Sequence, residues 1–558
     1  MDSPHPVYDV ADRYVDAYAA LRPIDATFAG IDGHDHRWGD LGPDGVEEAA
    51  DLFRRTRAQL AALPPGEDRW AQLAVRVLDD DLALQLEGHD HDDPLRDIAH
   101  IASTIPETRE ALEVQDTSDP DGREAVVARL EGYADALEGW RAKVDRGRQR
   151  GRVVAQRQVR STTSQLHELA EDDGPLRRVA TAVVAADGAL ADRVQAALPA
   201  AGAAATRTAR WLTEIYLPGA SEADGVGEER YLRSARGFLG SDLDPAETYA
   251  WGWDRIGELT ARARSVAREL SPDTDLPATI ARLRGDPAFA APNPDAFREA
   301  MQARQSAALD ALDGVHFDVP GPIRRVEVKL AGGGAPGAYY NGPSEDFSRP
   351  GTIWWSLPED GPVPLYEEVS TAYHEGFPGH HLQIGIQVGL ADRLSRAHRT
   401  LIWNPGYGEG WALYTEQLMD ELGMFEHPAY VLGYLAGELL RATRVVVDIG
   451  LHLGWRIPDT APVHAGEAWD FPRAVDALQQ LAFLPAGYAD SEVTRYLGWP
   501  GQAISYAVGQ RAIVGLREER RRRDGAGFEL KAFHADVLGS GPVGLDLLRA
   551  VVLGFEHR

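Results

Sequence analysis

The chain has 558 residues, no cysteine, and 57 Lys and Arg against 87 Asp and Glu, a formal charge of −30. The lack of Cys excludes a disulfide framework, thiolate metal sites and a Cys nucleophile, and the charge argues against nucleic acid and anionic membrane surfaces as partners. Hydrophobic residues at 44% exclude global disorder.

In chain order, the N-terminus shows neither a basic n-region nor an apolar h-region, and no apolar run reaches the ~18–20 residues of a membrane helix. The expectation is a cytoplasmic protein. Apolar positions at three- and four-residue spacing predict helices over 5–21, 45–63, 67–88, 122–146, 153–171 and 175–216. His34-Asp35-His36 and His89 to Asp93 look metal-like, but adjacent loop residues rarely converge on one ion, so they read as solvated loops. Residues 217–229 form a turn-rich acidic break. It separates an N-terminal helical half, 1–225, from a C-terminal half, 226–558, the two expected to form one continuous body. Helical patterns resume over 243–270 and 293–312. Residues 323–357 then change character: IRRVEVKLA alternates as a strand, a Gly/Pro-rich loop carries Tyr339 and Tyr340, and TIWWSL after Arg349-Pro350-Gly351 reads as an edge strand. Such an edge suits an extended peptide. Helix returns over 365–390, 407–422, 428–455, 484–497, 502–523 and 541–552. Four consecutive Arg at 520–523 suit a helix C-terminus rather than nucleic acid.

The chemistry concentrates in T-A-Y-H-E-G-F-P-G-H-H-L-Q at 371–383. His374 and Glu375 begin like H-E-x-x-H, in which two His one helical turn apart hold Zn²⁺ and the Glu takes a proton from a water the metal activates. Here position i+4 is Pro378, which has no N–H to offer the His374 carbonyl, so the helix must bulge or break. On an unbroken helix His381, at i+7, lies roughly 10.5 Å along the axis, too far to chelate comfortably. A Pro-Gly bulge that absorbs two residues brings His380 to the place of i+4. His380 is therefore preferred as second ligand, with His381 left open. Glu409, between Gly408 and Gly410 before a Trp-Ala-Leu-Tyr helix, fits the third ligand of a two-His, one-carboxylate site with an open position for water. Glu416, two turns further on, could orient a ligand His.

The chain resembles the bacterial "domain of unknown function 885" family through LRPIDATFAG near the start, RPGTIWW at 349–355, HEGFPGHHLQ at 374–383, GEGWALYTE at 408–416, RVVVDIGLH at 444–452 and PGQAISYAVG at 500–509. The C-terminal half is also similar, more distantly, to the carboxypeptidase Taq and thimet oligopeptidase families. Those are mostly helical, cleft-shaped zinc peptidases that keep H-E-x-G-H, two residues shorter than the element here. Gly498, Trp499, Pro500, Tyr506 and Gly509 resemble an element that follows the metal site in the Taq family, with extra residues between Pro and Tyr. That resemblance implies that Tyr506 faces the metal as an O–H donor to the oxyanion of amide hydrolysis. Tyr339 and Tyr340 are alternatives on a loop able to close over substrate.

The expectation is therefore a mainly α, neurolysin-like body with a deep cleft and a small β insert, holding one zinc ion on His374, His380 and Glu409. Its function would be hydrolysis of short peptides or small amides, with Glu375 as general base and Tyr506 as oxyanion donor. Arg349, Arg495 and Arg511 are candidates to bind a substrate carboxylate, each weighed against a structural ion pair. The alternatives are a specialised amide hydrolase of a natural-product pathway and a non-catalytic metal- or ligand-binding relative. Oligomeric state is left open.

Overall fold

Ala- and Leu-rich segments with apolar residues on one stripe fold into helices along most of the computed structural model, which describes residues 5–64, 68–331, 337–357 and 361–554. The chain forms two compact units. One comprises Met1–Val226, Ser395–Ile402 and Thr494–Trp499; the other comprises Gly227–Leu394, Trp403–Val493 and Pro500–Arg558. No described helix is long and apolar enough to cross a membrane.

In the first unit the long helix Pro120–Gln149 packs against Ala191–Trp211. Small Ala side chains at 197, 201, 204 and 205 share one core with Val126, Leu130, Tyr133 and Trp140. The single helix predicted over 175–216 is two, because Asp187 turns its carboxylate onto the Ala189 N–H at 2.9 Å and starts a new turn. Arg129 is fully buried in this core. Its guanidinium donates to the Ala111 carbonyl at 2.8 Å and to Thr27 Oγ1 at 2.6 Å, and burial pulls its pKa down to about 10. The metal-like clusters are otherwise engaged. Asp35 accepts from Thr27 Oγ1 at 2.6 Å, and His89, at a helix end rather than in a loop, meets Glu47 at 3.1 Å.

In the second unit the elements that matter for the site are, in chain order, α1 (Pro245–Leu270), α2 (Pro294–Leu312), β1 (Val326–Ala331), β2 (Gly337–Asn341), β3 (Gly351–Ser356), α3 (Glu368–Glu375), α4 (His380–Gly389), α5 (Pro405–Glu421), α6 (Pro428–Leu453) and α7 (Ser505–Asp524). α6 begins with Pro428, whose missing N–H costs nothing at a helix start, and ends at Gly454 with φ +66°. Gly252 of α1 lets the two helices approach, since a Cβ there would lie 2.8 Å from Val446 Cγ1. α5 starts on Asn404, whose side chain accepts from the Tyr407 N–H at 3.0 Å.

The sheet corrects two expectations. β3 is its central strand, parallel to β1 (Val328 opposite Ile353) and antiparallel to β2 (Tyr340 opposite Ile353), so 351–356 is not an edge. Its residues are buried on both faces, whereas β2 alternates between exposed and half-buried, as an edge strand does. Tyr339 and Tyr340 accordingly lie on a strand rather than in the expected loop; residues 332–336 of that loop lie outside the described residues.

Candidate functional site

The helix predicted over 365–390 breaks where Pro378 removes a donor. α3 ends at Glu375 and α4 restarts at His380, with a cis Phe377–Pro378 peptide between them. The Gly379 N–H bonds the carbonyl of Tyr373, six residues back rather than four, at 3.0 Å, so the break absorbs two residues. Only glycine fits at Gly379, where a Cβ would sit 2.0 Å from the His374 carbonyl oxygen. Gln305 of α2 holds the break from the side. Its Nε2 donates to the Ala372 carbonyl and its Oε1 accepts from the Phe377 N–H, both at 2.7 Å. Trp411 of α5 donates to the Pro378 carbonyl at 3.0 Å.

The break brings His374 and His380 together, with ring centroids 4.9 Å apart. Glu409, in the first turns of α5, closes the group. Its Oε2 lies 3.3 Å from His374 Nε2 and 3.5 Å from His380 Nε2. One ligand atom from each of the three residues lies within 4.8 Å of the others, and among the described residues no other such group of three occurs. Glycines flank Glu409 for a packing reason. A Cβ at Gly408 would strike the Trp403 ring at 2.2 Å, and one at Gly410 would lie 2.5 Å from the backbone of Gly509 on α7.

Glu416 lies behind His374. Its Oε1 meets His374 Nδ1 at 2.8 Å, and its Oε2 accepts from Ser370 Oγ. Nδ1–H then donates to Glu416, so Nε2 is the nitrogen aimed at the cluster. Burial pushes the Glu416 carboxyl up, but the Arg441 charge and the bonds to His374 and Ser370 outweigh it and hold the group below its usual range. Desolvation pushes the Glu409 carboxyl up, yet the two imidazoles beside it hold it well below its ordinary value. Burial disfavours the charged form of His374, but the Glu409 and Glu416 carboxylates raise its pKa to about 10.

Glu375 and Tyr506 line the same pocket as the cluster. Burial raises the Glu375 pKa against the lowering effect of His374 and His380, which suits a proton acceptor. The Tyr506 ring lies nearly parallel to His374 at 6.5 Å, with the Arg444 guanidinium 4.9 Å from its centre. Tyr339 and Tyr340 also line this pocket.

Three candidates lie elsewhere. His381 Nε2–H donates to the Ile323 carbonyl at 2.7 Å and its Nδ1 accepts from Tyr340 O–H at 3.0 Å. Both nitrogens are engaged and burial lowers its pKa to about 4, so His381 is a neutral packing residue and His380 is the one that joins the cluster. Arg511 does not reach the pocket: it pairs with Glu247 at 2.9 Å and lies over Trp251. Arg349 is exposed and absent from the pocket lining, on a turn whose backbone is tied to Ser344. The sequence reading missed Arg441, Arg444, Trp403 and Gln305. For the two arginines a signal existed: R-A-T-R places them three apart on a largely apolar helix, where a charge needs a buried reason.

Buried Glu409 Oε2 and His380 Nδ1 have no hydrogen-bond partner among the described residues. A carboxylate oxygen facing two imidazole nitrogens at 3.3 and 3.5 Å, without bonding either, is a donor set that fits a divalent cation.

These features define a mainly helical protein with a small three-stranded sheet and a buried His-His-Glu cluster at a helix break. The chain belongs to the family described as "Bacterial protein of unknown function (DUF885)", whose model matches residues 23–552. No curated protein matches it. Its fold is similar to the crystal structure of a "putative lipoprotein" from Colwellia psychrerythraea, at 22% identity and a TM-score of 0.83, over 98% of both chains. It is also similar to a "putative lipoprotein of unknown function" from Shewanella oneidensis, at 17% identity and a TM-score of 0.75, over 98% of this chain and 100% of that one.

Proposed function

We propose that the protein is a zinc-dependent amide hydrolase acting on short peptides or small amides, and that its body is that of a zinc peptidase. The observation that carries this reading is the convergence of His374, His380 and Glu409 within 4.8 Å in a pocket that Glu375 and Tyr506 also line. His374, His380 and Glu409 would hold the ion, which when bound supplies Lewis-acid polarisation of the substrate carbonyl and acidifies a water. Glu375 accepts the proton of the attacking water and returns it to the leaving amine. Tyr506 O–H donates to the oxygen on which negative charge develops. Glu416 keeps His374 in the tautomer that presents Nε2.

Glu375→Gln is the test. The variant is expected to retain about one equivalent of zinc and to lose hydrolysis of a dipeptide and tripeptide library by a factor of roughly 10²–10⁴. Wild-type protein that takes up no zinc, or a variant with full activity, overturns the proposal.

A further inference from the structure

The pocket over the cluster encloses about 380 Å³ and carries two arginines from one face of α6, Arg441 and Arg444. Their charges meet different surroundings. Arg444 bonds the buried Glu492 carboxylate at 2.7 Å and covers the Tyr506 ring, so its charge is matched inside the protein. Arg441 has one carboxylate within 4.0 Å among the described residues, Glu416, and the gap of 3.9 Å is too long for a hydrogen bond. Glu416 is in any case occupied by His374 and Ser370. The Arg441 Nε is buried with no acceptor among the described residues. Gly437, one turn earlier, leaves room for the head group: a Cβ there would lie 2.7 Å from Arg441 Nη1.

A guanidinium on a pocket wall with unfilled donors is stabilised by an occupant that brings planar, anionic acceptors. We infer that Arg441 receives the carboxylate of the substrate, and that substrates end in a free carboxylate close to the bond that is cleaved. This rests on the hydrolase reading above and names its substrate class. The proximity follows from Glu416, which touches His374 on one side and approaches Arg441 on the other. Successive Cα atoms lie about 3.8 Å apart, so a terminal carboxylate at Arg441 is one or two residues beyond the carbonyl over the cluster. Cleavage then releases residues from the C-terminal end of a peptide, or the carboxylate-bearing part of a small amide.

The test compares N-acetyl-alanyl-alanine as free acid with its C-terminal amide. Binding is measured by calorimetry on the full chain carrying Glu375→Gln, so that no turnover is needed. The acid is expected to bind about 10–100-fold tighter than the amide. Adding Arg441→Gln should erase that preference without changing the amide's affinity, and Arg441→Lys, which keeps the charge but loses the fork, should restore part of it. Equal binding of acid and amide, no binding of the acid at millimolar concentration, or an equal loss for both in Arg441→Gln overturns the inference; the last would mean that Arg441 only balances Glu416. Hydrolysis of the two compounds by the wild type is scored separately. Preference for the acid in binding without turnover of either compound would sink the hydrolase reading and leave the role of Arg441 in binding standing.

Discussion

Two buried histidines of the second unit show how one residue type is set to opposite tasks by its neighbours. His374 faces two carboxylates and is pushed toward the charged form, which a cation would replace. His534 is kept neutral. Its Nδ1–H donates to the His316 carbonyl at 3.0 Å, its Nε2 accepts from Tyr414 O–H at 2.7 Å, and its ring stacks on Phe317. Burial lowers its pKa to about 4. An unfolded chain binds a proton at this ring below about pH 6.5 while the folded one does not, so the stabilisation is complete above that pH and is lost as pH falls toward 4. The loss amounts to roughly 3 kcal/mol. In urea melts, His534→Gln is expected to be destabilised relative to wild type at pH 7.5, and the gap should narrow on acidification. A gap independent of pH would show that His534 does not carry this linkage.

At the scale of elements, the helix break is the feature on which the site depends. Gln305 closes it from a neighbouring helix, and Gln305→Ala leaves the Phe377 N–H buried without a partner. The expected cost is about 2 kcal/mol; if the cluster holds zinc as proposed, the affinity should also weaken, because His380 begins the helix that the break releases. Thermal unfolding and competitive chelation measure the two effects, and a variant with unchanged zinc affinity would show that Gln305 is not needed to place His380. Much of this was legible beforehand. Pro378 announced the break, the surplus of two residues pointed to His380, and Gly408 and Gly410 marked Glu409. Gln305 was not legible, because nothing within 293–312 indicates that one polar residue faces a peptide group some seventy positions later. Strand order was misread for a related reason. TIWWSL carries burial on both faces, which fits a central strand as well as an edge, and only pairing with β1 and β2 decides. The helices Phe471–Ala482 and Leu530–Gly539 were missed too, although Asp470 before Phe-Pro is a readable cap in the first.

For the molecule as a whole, the −30 charge is plain from composition and the helical content from the apolar spacing, but the division of the chain is not a simple cut. The acidic break at 217–229 coincides with the end of the first unit's main segment, yet that unit also takes in Ser395–Ile402 and Thr494–Trp499. Gln158 reaches the second of these through a bond from its Nε2 to the Thr494 carbonyl at 2.8 Å, and Arg396 in the first meets Asp16 at 2.8 Å. A fragment of residues 1–226 is therefore expected to melt at lower temperature, and to be cut faster by protease, than the same residues within the full chain. Equal resistance would show that the late segments add nothing to the unit.

The same arrangement has a consequence for the order in which the protein is made. A nascent chain that has exposed its first 226 residues has not yet synthesised the pieces that complete their packing. The last of these, Thr494–Trp499, emerges only after His374, His380 and Glu409. Maturation of the first unit is thus deferred until most of the second has left the ribosome, so the His-His-Glu cluster is already outside before the N-terminal unit can be complete.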